Sequence, residues 1–434
     1  MIVKFKDIAE FTAGQSPESK YYSKENGVPF LQGNRTFNRL YPDIDTYTTK
    51  VTKYAEKNSI LMSVRAPVGD LNLAPCDLCI GRGLSKIKSK NGEDEFLYYA
   101  LKYNMERLKK QGNGTTYDSV TRNIVEDFDM IIPDDKDSHI KIGKFLRKID
   151  LLIENNNKLI SKYLEISNKI YDYWFLQFDF PNTDGKPYKT SGGKMVYNKD
   201  YDSELPEGWT IKKLSECVSS EKNAIVDGPF GTQMKIEDYR EAGVPVYEME
   251  QLNDLFIIDD NKHFISKEKF QTVKRSSVKN GDIIISKTGT LGLLGIVKSR
   301  YDSGIIVSRL AKITPNNSII GKYTLLILLK HLNKYGYWRK KSTGSTMPII
   351  NIDIINNVEI VMPDTDLLNK FENLITPMYE EIYNLQIKNK NLEKILNKLL
   401  PLLMSGQIKL KYKNNSIIIY TVIFFCLKGH LQIL

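Results

Sequence analysis

The feature that most constrains this 434-residue chain is an internal repeat. Residues 124–134 align without a gap on residues 354–364, and a Gly-Thr-Thr triplet at 114 precedes the first stretch just as Gly-Ser-Thr at 344 precedes the second. Other matches follow in the same order, separated by 216 to 230 residues: Gly27-Val28-Pro29 with Gly243-Val244-Pro245, Ser63 and Gly69 with Ser286 and Gly292, and Leu84-Ser85-Lys86-Ile87 with Leu310-Ala311-Lys312-Ile313. One unit is therefore used twice, with loop insertions between the matches.

Each copy changes its hydrophobic period along its length. The first part contains short β-branched and aromatic runs bounded by Gly, Pro and Asn, such as 59–64 and 281–286. Such runs predict strands entered by turns. In the second part apolar residues recur about every 3.5 residues, in the first copy from Ile142 and in the second from Leu367. This period predicts one long helix in each copy.

Two arrangements of these helices remain open. A helix of about 35 residues is about 50 Å long, and so narrow an apolar seam needs a packing partner. Each helix could lie on its own domain, or the two could pair as an antiparallel coiled coil, which a 3.5-residue period favours. Asn156 and Asn389 fall on the seams, where a buried amide would fix the register. Pro377 predicts a kink or a break in the second helix.

The predicted fold class is α+β. It consists of two repeated mixed α/β domains separated by two long antiparallel coiled-coil helices in a pseudo-twofold arrangement. The predicted segments are a first domain at 1–136, a first long helix at 137–180, a linker at 181–204, a second domain at 205–365, a second long helix at 366–406, and an apolar C-terminal tail at 407–434.

Composition narrows the class of protein and of partner. A hydrophobic fraction of 41% with 26% charged residues excludes a disordered or fibrous chain. The net charge of +10 favours a polyanionic partner such as nucleic acid. Four cysteines are too few for a disulfide framework, so we expect a reducing cytoplasm. The N-terminus has no apolar run typical of a signal peptide, and the apolar stretch 417–427 is shorter than a membrane span.

Two similar domains held apart by paired helices would present two reading surfaces to DNA. A separation of 50 Å covers about 15 base pairs, and because the two copies have diverged, the target is expected to be split and asymmetric. Arg and Asn read base edges, whereas Lys more often contacts phosphate. The candidate DNA-binding residues are Asn34, Arg35, Arg39, Arg65, Arg82, Lys86, Lys287, Arg309, Lys312, Arg339, Lys340 and Lys341.

The sequence lacks the motifs of common catalysts. It has no G-x-G-x-x-G or G-x-x-x-x-G-K-[ST] phosphate loop, no G-x-S-x-G elbow and no H-E-x-x-H pair. The single C-x-x-C pair, Cys76 and Cys79, has no second pair to complete a zinc site. We therefore expect no catalytic residue, cofactor or metal in this chain. Two alternatives stay open: a self-contained nuclease with an unrecognised site, and a standalone DNA-binding regulator.

Several stretches of the chain resemble the specificity subunit of type I restriction–modification enzymes. Together they extend the resemblance over about residues 1–410. Three stretches resemble the central region of that subunit: 171–181 (YDYWFLQFDFP), 184–189 (DGKPYK) and 205–209 (LPEGW). The distal helix end of that subunit is resembled by 399–408 (LLPLLMSGQI). One class of its target-recognition domains is resembled by 63–70 together with 79–84.

The resemblance implies a non-catalytic subunit in which each recognition domain reads one half of a bipartite DNA site. It also implies that the helices set the spacing and dock two adenine methyltransferase subunits, and that the assembly can recruit restriction subunits. S-adenosylmethionine, ATP and Mg²⁺ would then be held by the partners. The absence of an N-P-P-Y or D-P-P-Y tetrapeptide agrees with this division, since the target adenine would be handled by a partner.

The resemblance ends near Leu410, and the tail after it is strongly apolar. Three interpretations are open: a strand added to a neighbouring domain, a partner-binding segment, or an extension produced by a shifted or recombined reading frame. We favour the last because an unpaired apolar run is an aggregation liability.

Overall fold

The computed structural model describes residues 1–65, 67–111, 120–199, 201–253, 255–344, 347–413, 416–421 and 431–432. The triplet Gly114-Thr115-Thr116 and the pair Ser345-Thr346 of the sequence repeat lie outside these residues. The chain divides into two compact units, each of which contains the strand-rich part of one copy of the repeat and a part of both long helices. Unit 1 comprises Met1–Lys158 with Lys388–Leu434, and unit 2 comprises Leu159–Ile387.

The first copy of the repeat forms eleven short strands within its described residues. They are β1 (Ile2–Lys4), β2 (Ala9–Ala13), β3 (Tyr22–Ser23), β4 (Val28–Leu31), β5 (Tyr47–Thr48), β6 (Tyr54–Ala55), β7 (Ile60–Ser63), β8 (Leu71–Leu73), β9 (Leu78–Ile80), β10 (Leu84–Ser89) and β11 (Asp129–Ile131). The helices are α1 (Phe5–Ile8), α2 (Asp94–Gln111), α3 (Arg122–Glu126) and the long α4 (Lys136–Tyr171), which continues as a π-helical turn at Asp172–Leu176.

The second copy has most of the elements of the first in the same order, with additional strands and short helices inserted. Its strands are β12 (Met195–Asn198), β13 (Ser203–Pro206), β14 (Thr210–Lys213), β15 (Ile225–Asp227), β16 (Val244–Tyr247), β17 (Leu255–Ile257), β18 (Phe264–Ile265), β19 (Ser277–Val278), β20 (Ile283–Ser286), β21 (Leu294–Val297), β22 (Gly304–Ile306), β23 (Leu310–Ile313) and β24 (Glu359–Met362). Its helices are α5 (Leu214–Cys217), α6 (Lys267–Val273), α7 (Lys322–Lys334), α8 (Tyr337–Lys341), α9 (Ile352–Asn356) and the long α10 (Thr365–Met404).

The sheet topology confirms the repeat. In unit 1 one sheet has the order β2-β10-β7-β8, and in unit 2 the corresponding sheet has the order β15-β23-β20-β21, extended by β17. A second sheet, β3-β5-β4-β9-β6, corresponds to β18-β16-β22-β19, and the pair β1-β11 corresponds to β14-β24. Both copies are therefore mixed α+β domains with two main sheets, as the change of hydrophobic period predicts.

The central strands of these sheets have the sequences expected of strands buried on both faces. Strand β7 reads Ile-Leu-Met-Ser, β20 reads Ile-Ile-Ile-Ser, and every residue of both is buried. A continuous apolar run replaces alternation because neither face is exposed to water. Full burial of each large aliphatic side chain contributes about 1.5–3 kcal/mol. The strands predicted at 59–64 and 281–286 are thus confirmed, each trimmed at its ends.

Each long helix contributes one segment to each unit. In unit 1, Leu146 and Ile153 of α4 share one buried core with Leu396 and Leu403 of α10. The seam there is completed by amides: Asn156 Nδ2 donates to Asn389 Oδ1 at 2.7 Å, and Asn389 Nδ2 donates to Asn157 Oδ1 at 2.8 Å. The predicted place of both seam asparagines is confirmed within this unit.

In unit 2 the other halves of the long helices share a second core. Tyr171 of α4 lies edge-on to Phe371 of α10 with ring centroids 6.0 Å apart, and Ile160 and Ile375 are buried in the same cluster. The expected break at Pro377 does not occur, because α10 runs unbroken from Thr365 to Met404. Pro377 and Asn373, whose carbonyl loses its helical donor, are both exposed, so water can satisfy that carbonyl.

The C-terminal tail begins as part of unit 1. Ile408 and Leu410 are buried in the unit 1 core, on strand β25 (Ile408–Lys413), which pairs with β26 (Ser416–Thr421) and through it with β27 (Leu431–Gln432). Residues 414–415, 422–430 and 433–434 of the predicted tail lie outside the described residues. Among the described helices, none has the length and apolar character needed to cross a membrane.

Candidate nucleic-acid interface

The most detailed match between the two copies is a serine-centred loop after the central strand. Ser63 Oγ donates to the carbonyl of Pro67 at 2.7 Å and accepts from the amide of Asp70 at 2.8 Å. Ser286 Oγ makes the same two bonds, to Thr290 at 2.5 Å and from Leu293 at 2.8 Å. The described residues of the loops 63–70 and 286–293 therefore share this hydrogen-bond pattern although their sequences differ.

Glycine is required where each of these loops returns to its sheet. Gly69 has φ +88° and Gly292 has φ +76°, a left-handed conformation that residues with a Cβ rarely adopt. A Cβ on Gly292 would lie 2.4 Å from Trp338 of α8, and one on Gly69 would lie 2.5 Å from Met105 of α2. Each loop is thus packed directly against a helix that comes later in the same copy.

Backbone hydrogen bonds join each serine loop to a second turn and to a third segment. In unit 1 the Val64 amide donates to the Gly83 carbonyl at 2.9 Å, and the Val120 amide donates to the Val64 carbonyl at 3.0 Å. In unit 2 the corresponding bonds run from Lys287 to Arg309 at 2.8 Å and from Ile350 to Lys287 at 2.9 Å. The turns 81–83 and 307–309 are therefore fixed beside the serine loops.

A fourth loop joins the same edge through its glycine. Gly14 donates to the Leu84 carbonyl at 2.9 Å, and Gly228 donates to the Leu310 carbonyl at 3.0 Å. A Cβ on Gly14 would lie 2.3 Å from the Gly81 carbonyl oxygen, and one on Gly228 would lie 2.1 Å from that of Val307. Four loops converge at one edge of each copy, and we call these the loop edge of unit 1 and the loop edge of unit 2.

Exposed basic residues decorate the loop edge of unit 1. Arg65 lies in the serine loop and Arg82 in the turn 81–83, and both side chains are exposed. Arg35 is also exposed and forms an ion pair with Asp45 at 2.5 Å. Asn34 is half-buried and donates to Asp70 Oδ2 at 2.7 Å, which ties the loop after β4 to the serine loop. The structure thus brings these four candidate residues to one edge.

The loop edge of unit 2 also carries exposed cations, but at different positions. Arg309 is exposed in the turn 307–309. Arg339, Lys340 and Lys341 are exposed on α8, which is anchored by the fully buried Trp338 beside the serine loop. By the hydrogen-bond match, Arg309 corresponds to Gly83 and not to Arg82. The two copies therefore present cations from one scaffold in two different patterns.

Four candidate residues are instead held in internal ion pairs or buried. The guanidinium of Arg39 donates to Asp150 of α4 at 2.9 Å and to Glu393 of α10 at 2.7 Å. Lys86 Nζ lies 3.0 Å from Glu56, and Lys287 Nζ lies 3.3 Å from Asp227. Lys312, the counterpart of Lys86, is buried in β23. These four side chains therefore make contacts within their own domains, and they are not presented at the surface as the sequence analysis expected of DNA-binding residues.

The electrostatics of Lys312 follow from its burial. Desolvation lowers the pKa of its ammonium group, and the nearby Asp282 carboxylate works in the opposite direction. Desolvation also raises the pKa of the Asp282 carboxyl, which accepts a hydrogen bond from Thr314 Oγ1 at 2.6 Å. A cation held inside a sheet beside a buried acid is poorly placed to contact a phosphate.

Sequence reasoning missed the acid that organises the unit 2 edge. Asp227 precedes Gly228 at the end of β15, and it accepts from Arg275 Nη2 at 2.6 Å as well as from Lys287. The corresponding residue at the end of β2 in unit 1 is Ala13, so alignment of the copies offered no signal for it. The glycine that follows Asp227 was the available clue, because it marks a close approach of backbone.

No group of metal-ligating side chains occurs among the residues that the structure describes. A cavity of about 620 Å³ lies in unit 1 between α2 and α4 and is lined by residues including Tyr41, Phe96 and Arg147. The loop edges, with exposed Arg and Lys side chains on rigid turns, are better suited to contact a polyanion.

Comparisons with known proteins show which family the chain is similar to. The family model for the type I restriction modification DNA specificity domain matches residues 1–163 and 206–376. The type I restriction enzyme MjaIX specificity subunit of Methanocaldococcus jannaschii is 27% identical over 426 residues, which cover 94% of each chain. A putative MjaX specificity subunit from the same organism is 43% identical over 148 residues, covering 33% of this chain and 35% of that protein.

The fold also resembles a solved structure. The crystal structure of a type I restriction–modification system S subunit from M. genitalium superposes with a TM-score of 0.62 and 18% sequence identity, covering 93% of this chain and 96% of that one. At this identity the likeness concerns the fold: two copies of a mixed α+β domain and two long helices.

Proposed function

The chain belongs to the type I restriction–modification DNA specificity family, and from that premise we propose how it reads its target. As a member of that family it is a DNA-recognition subunit and not itself an enzyme. We infer that each loop edge enters one half of a bipartite, asymmetric DNA site. The observation that carries this proposal is the shared backbone hydrogen-bond network, which presents four loops in the same way in both copies.

The asymmetry of the site follows from the different side chains on the shared network. Unit 1 presents Arg65 and Arg82, whereas unit 2 presents Arg309 from a position shifted by one residue in the same turn. A shift of one residue redirects a side chain by a distance comparable to one base-pair step. We therefore assign Arg65, Arg82 and Arg309 to base edges.

The remaining candidates fall into two roles. Exposed Arg35, Arg339, Lys340 and Lys341 are assigned to the phosphate backbone, where they would supply affinity rather than sequence preference. Asn34, Arg39, Lys86, Lys287 and Lys312 are assigned to positioning, because each is hydrogen-bonded, ion-paired or buried within its domain.

We propose that the long helices form an antiparallel coiled coil that sets the spacing between the half-sites. The order of contacts in unit 1 supports this: Asn156, late in α4, meets Asn389, while the earlier Leu146 shares a core with the later Leu396. A buried amide pair in such a seam specifies one register among several that an apolar seam would allow.

Docking of two adenine methyltransferase subunits on these helices is also part of the proposal. Within unit 2, α4 and its π-helical extension carry exposed apolar residues every seventh position: Leu159 and Ile166, each 45% exposed, and Tyr173, 40% exposed. This stripe is separate from the buried seam, and a standalone DNA-binding regulator has no need of it. S-adenosylmethionine, ATP and Mg²⁺ are then bound by the partner subunits.

The test is co-expression of this chain with the methyltransferase subunit from the same source, followed by mapping of methylated adenines by single-molecule sequencing. We expect one split, non-palindromic motif. Arg309→Ala should relax the second half of that motif alone, and Arg300→Ala, an exposed arginine paired with Asp259, serves as the matched control. A motif with only one half, or specific binding that needs no methyltransferase for full strength, would contradict the proposal.

A further inference from the structure

The loop edge of unit 2 presents a phenylalanine to solvent. Phe230 is 59% exposed, whereas Gly228 and Pro229 immediately before it are buried. Single exposed apolar residues are common on protein surfaces and need no special role. Phe230 differs because of the way its backbone is held and because of what lies beside it.

The turn that carries Phe230 is fixed on both sides. The Phe230 carbonyl accepts from the amides of Gln233 at 2.8 Å and Met234 at 3.3 Å, and its own amide donates to Gln233 Oε1 at 3.2 Å. Gly228, two residues earlier, is hydrogen-bonded to Leu310 and leaves no room for a side chain. The aromatic ring therefore projects from a preformed turn. Because the backbone of this turn is already ordered, it loses little conformational entropy when the ring contacts a binding partner.

The neighbouring turn supplies a cation. Gly228 packs on Val307, and the exposed Arg309 lies two residues further along that turn. An aromatic ring beside an arginine on a rigid edge is the combination found where a protein both neutralises phosphate and stacks on bases. Phe230 lies at the tip of a turn between Gly228 and Gly231, which is not where a phenylalanine that belongs to the hydrophobic core is expected.

The first copy has a polar residue at the same place. Counting from the matched Gly14 and Gly228, the counterpart of Phe230 is Ser16, whose Oγ accepts from the Arg82 amide at 3.1 Å. Ser16 thus ties two loops of unit 1 together and has no ring to insert. At this position unit 2 therefore has an exposed aromatic side chain, whereas unit 1 has a small hydrogen-bonded one.

We propose that Phe230 is a wedge that enters between base pairs in the half-site read by unit 2. This inference rests on the proposed function. Insertion of an apolar side chain unstacks one base step and kinks the duplex, at a cost that is offset by the wider contact that the kink allows. Unit 1, with Ser16 in place of the ring, leaves its half-site stacked, so the distortion of the target is one-sided.

The experiment uses the full chain with its methyltransferase partner and a duplex containing the mapped site, with 2-aminopurine substituted in turn at positions of each half-site. Unstacking raises the fluorescence of this base. We expect wild type to raise it at one step of the unit 2 half-site only. Phe230→Ala should abolish that signal and weaken binding roughly tenfold, and Phe230→Leu should retain part of both. Tyr197→Ala, which removes an aromatic ring that is 58% exposed on β12 and outside the loop edge, should change neither.

The outcomes separate the wedge from the function on which it rests. If wild type binds no sequence specifically, the proposed function fails. If it binds specifically and Phe230→Ala gives the same affinity and fluorescence, the wedge alone is refuted. A loss of methyltransferase association with unchanged fluorescence would also refute it, and would make Phe230 a protein contact.

Discussion

The amide cluster at Asn389 gives the sharpest test of how the helix seam is specified. Asn389 is buried, and it accepts one hydrogen bond from Asn156 and donates one to Asn157. Two neutral hydrogen bonds contribute about 0.5–1.5 kcal/mol each, so Asn389→Ala should lower the free energy of unfolding by about 1–3 kcal/mol. Asn389→Leu loses the same bonds, but burial of its side chain returns about 1.5–3 kcal/mol.

The leucine variant should therefore unfold in urea within about 1 kcal/mol of wild type, yet lose the register information that the amides carry. We expect methylation mapping to detect motifs with a second spacer length in Asn389→Leu. Asn384→Leu, an exposed position on the same helix, should show one spacer. A leucine variant that is more than about 2 kcal/mol less stable, or one that keeps a single spacer, would refute the register argument.

Three further predictions follow from the ion pairs and the loop edges. Arg309→Ala should weaken binding of the cognate site by roughly tenfold or more, as loss of a bidentate base contact does, measured by titration of a labelled duplex. Arg39→Ala should destabilise the chain by about 3 kcal/mol in urea unfolding, because it leaves Asp150, 1% exposed, without its cation. The ammonium group of Lys279 holds the pKa of the Glu221 carboxyl below its ordinary value. The ion pair therefore stabilises the fold at any pH above the ordinary pKa of a glutamate, and this stabilisation is lost as the pH falls through the lowered pKa of Glu221. Glu221→Gln should accordingly lose less stability than wild type on acidification, compared by urea midpoints at neutral and acidic pH.

The two stability predictions each have a control. The double variant Arg39→Met with Asp150→Asn should recover most of the lost stability, since it removes the buried charge together with its partner; no recovery would mean that Arg39 acts otherwise. Glu241→Gln, an exposed carboxylate in the same unit, is the control for Glu221. Equal acid sensitivity of the Glu221 variant and wild type would contradict the linkage argument.

The sequence alone predicted the features that depend on residues close together in the chain. The serine loops could be matched because Ser63 and Gly69 recur at the same spacing as Ser286 and Gly292, and this spacing reflects one hydrogen-bonded turn. The helix seams were readable because burial repeats with the helical period, and Asn156 and Asn389 stood out as polar residues within them.

The roles of individual cations were not readable, because their partners are distant in sequence. Arg39 pairs with Asp150 and with Glu393, 111 and 354 residues away. No local pattern distinguishes such an arginine from the exposed Arg35. Lys287 and Lys312 are similar cases, since an apolar strand with one lysine does not reveal whether that lysine reaches water.

The division of the chain into units has a consequence for biosynthesis. Unit 2 is one continuous stretch, Leu159–Ile387, whereas unit 1 is completed by Lys388–Leu434. Leu396, Leu400 and Leu403 lie in the same core as Phe5 and Leu146, so that core stays open until nearly the whole chain has left the ribosome. The recognition domain synthesised first would thus be the last to fold, and it would wait with an apolar surface exposed while the inserted domain folds. A nascent chain of this design depends on chaperone protection for its N-terminal third more than for its middle.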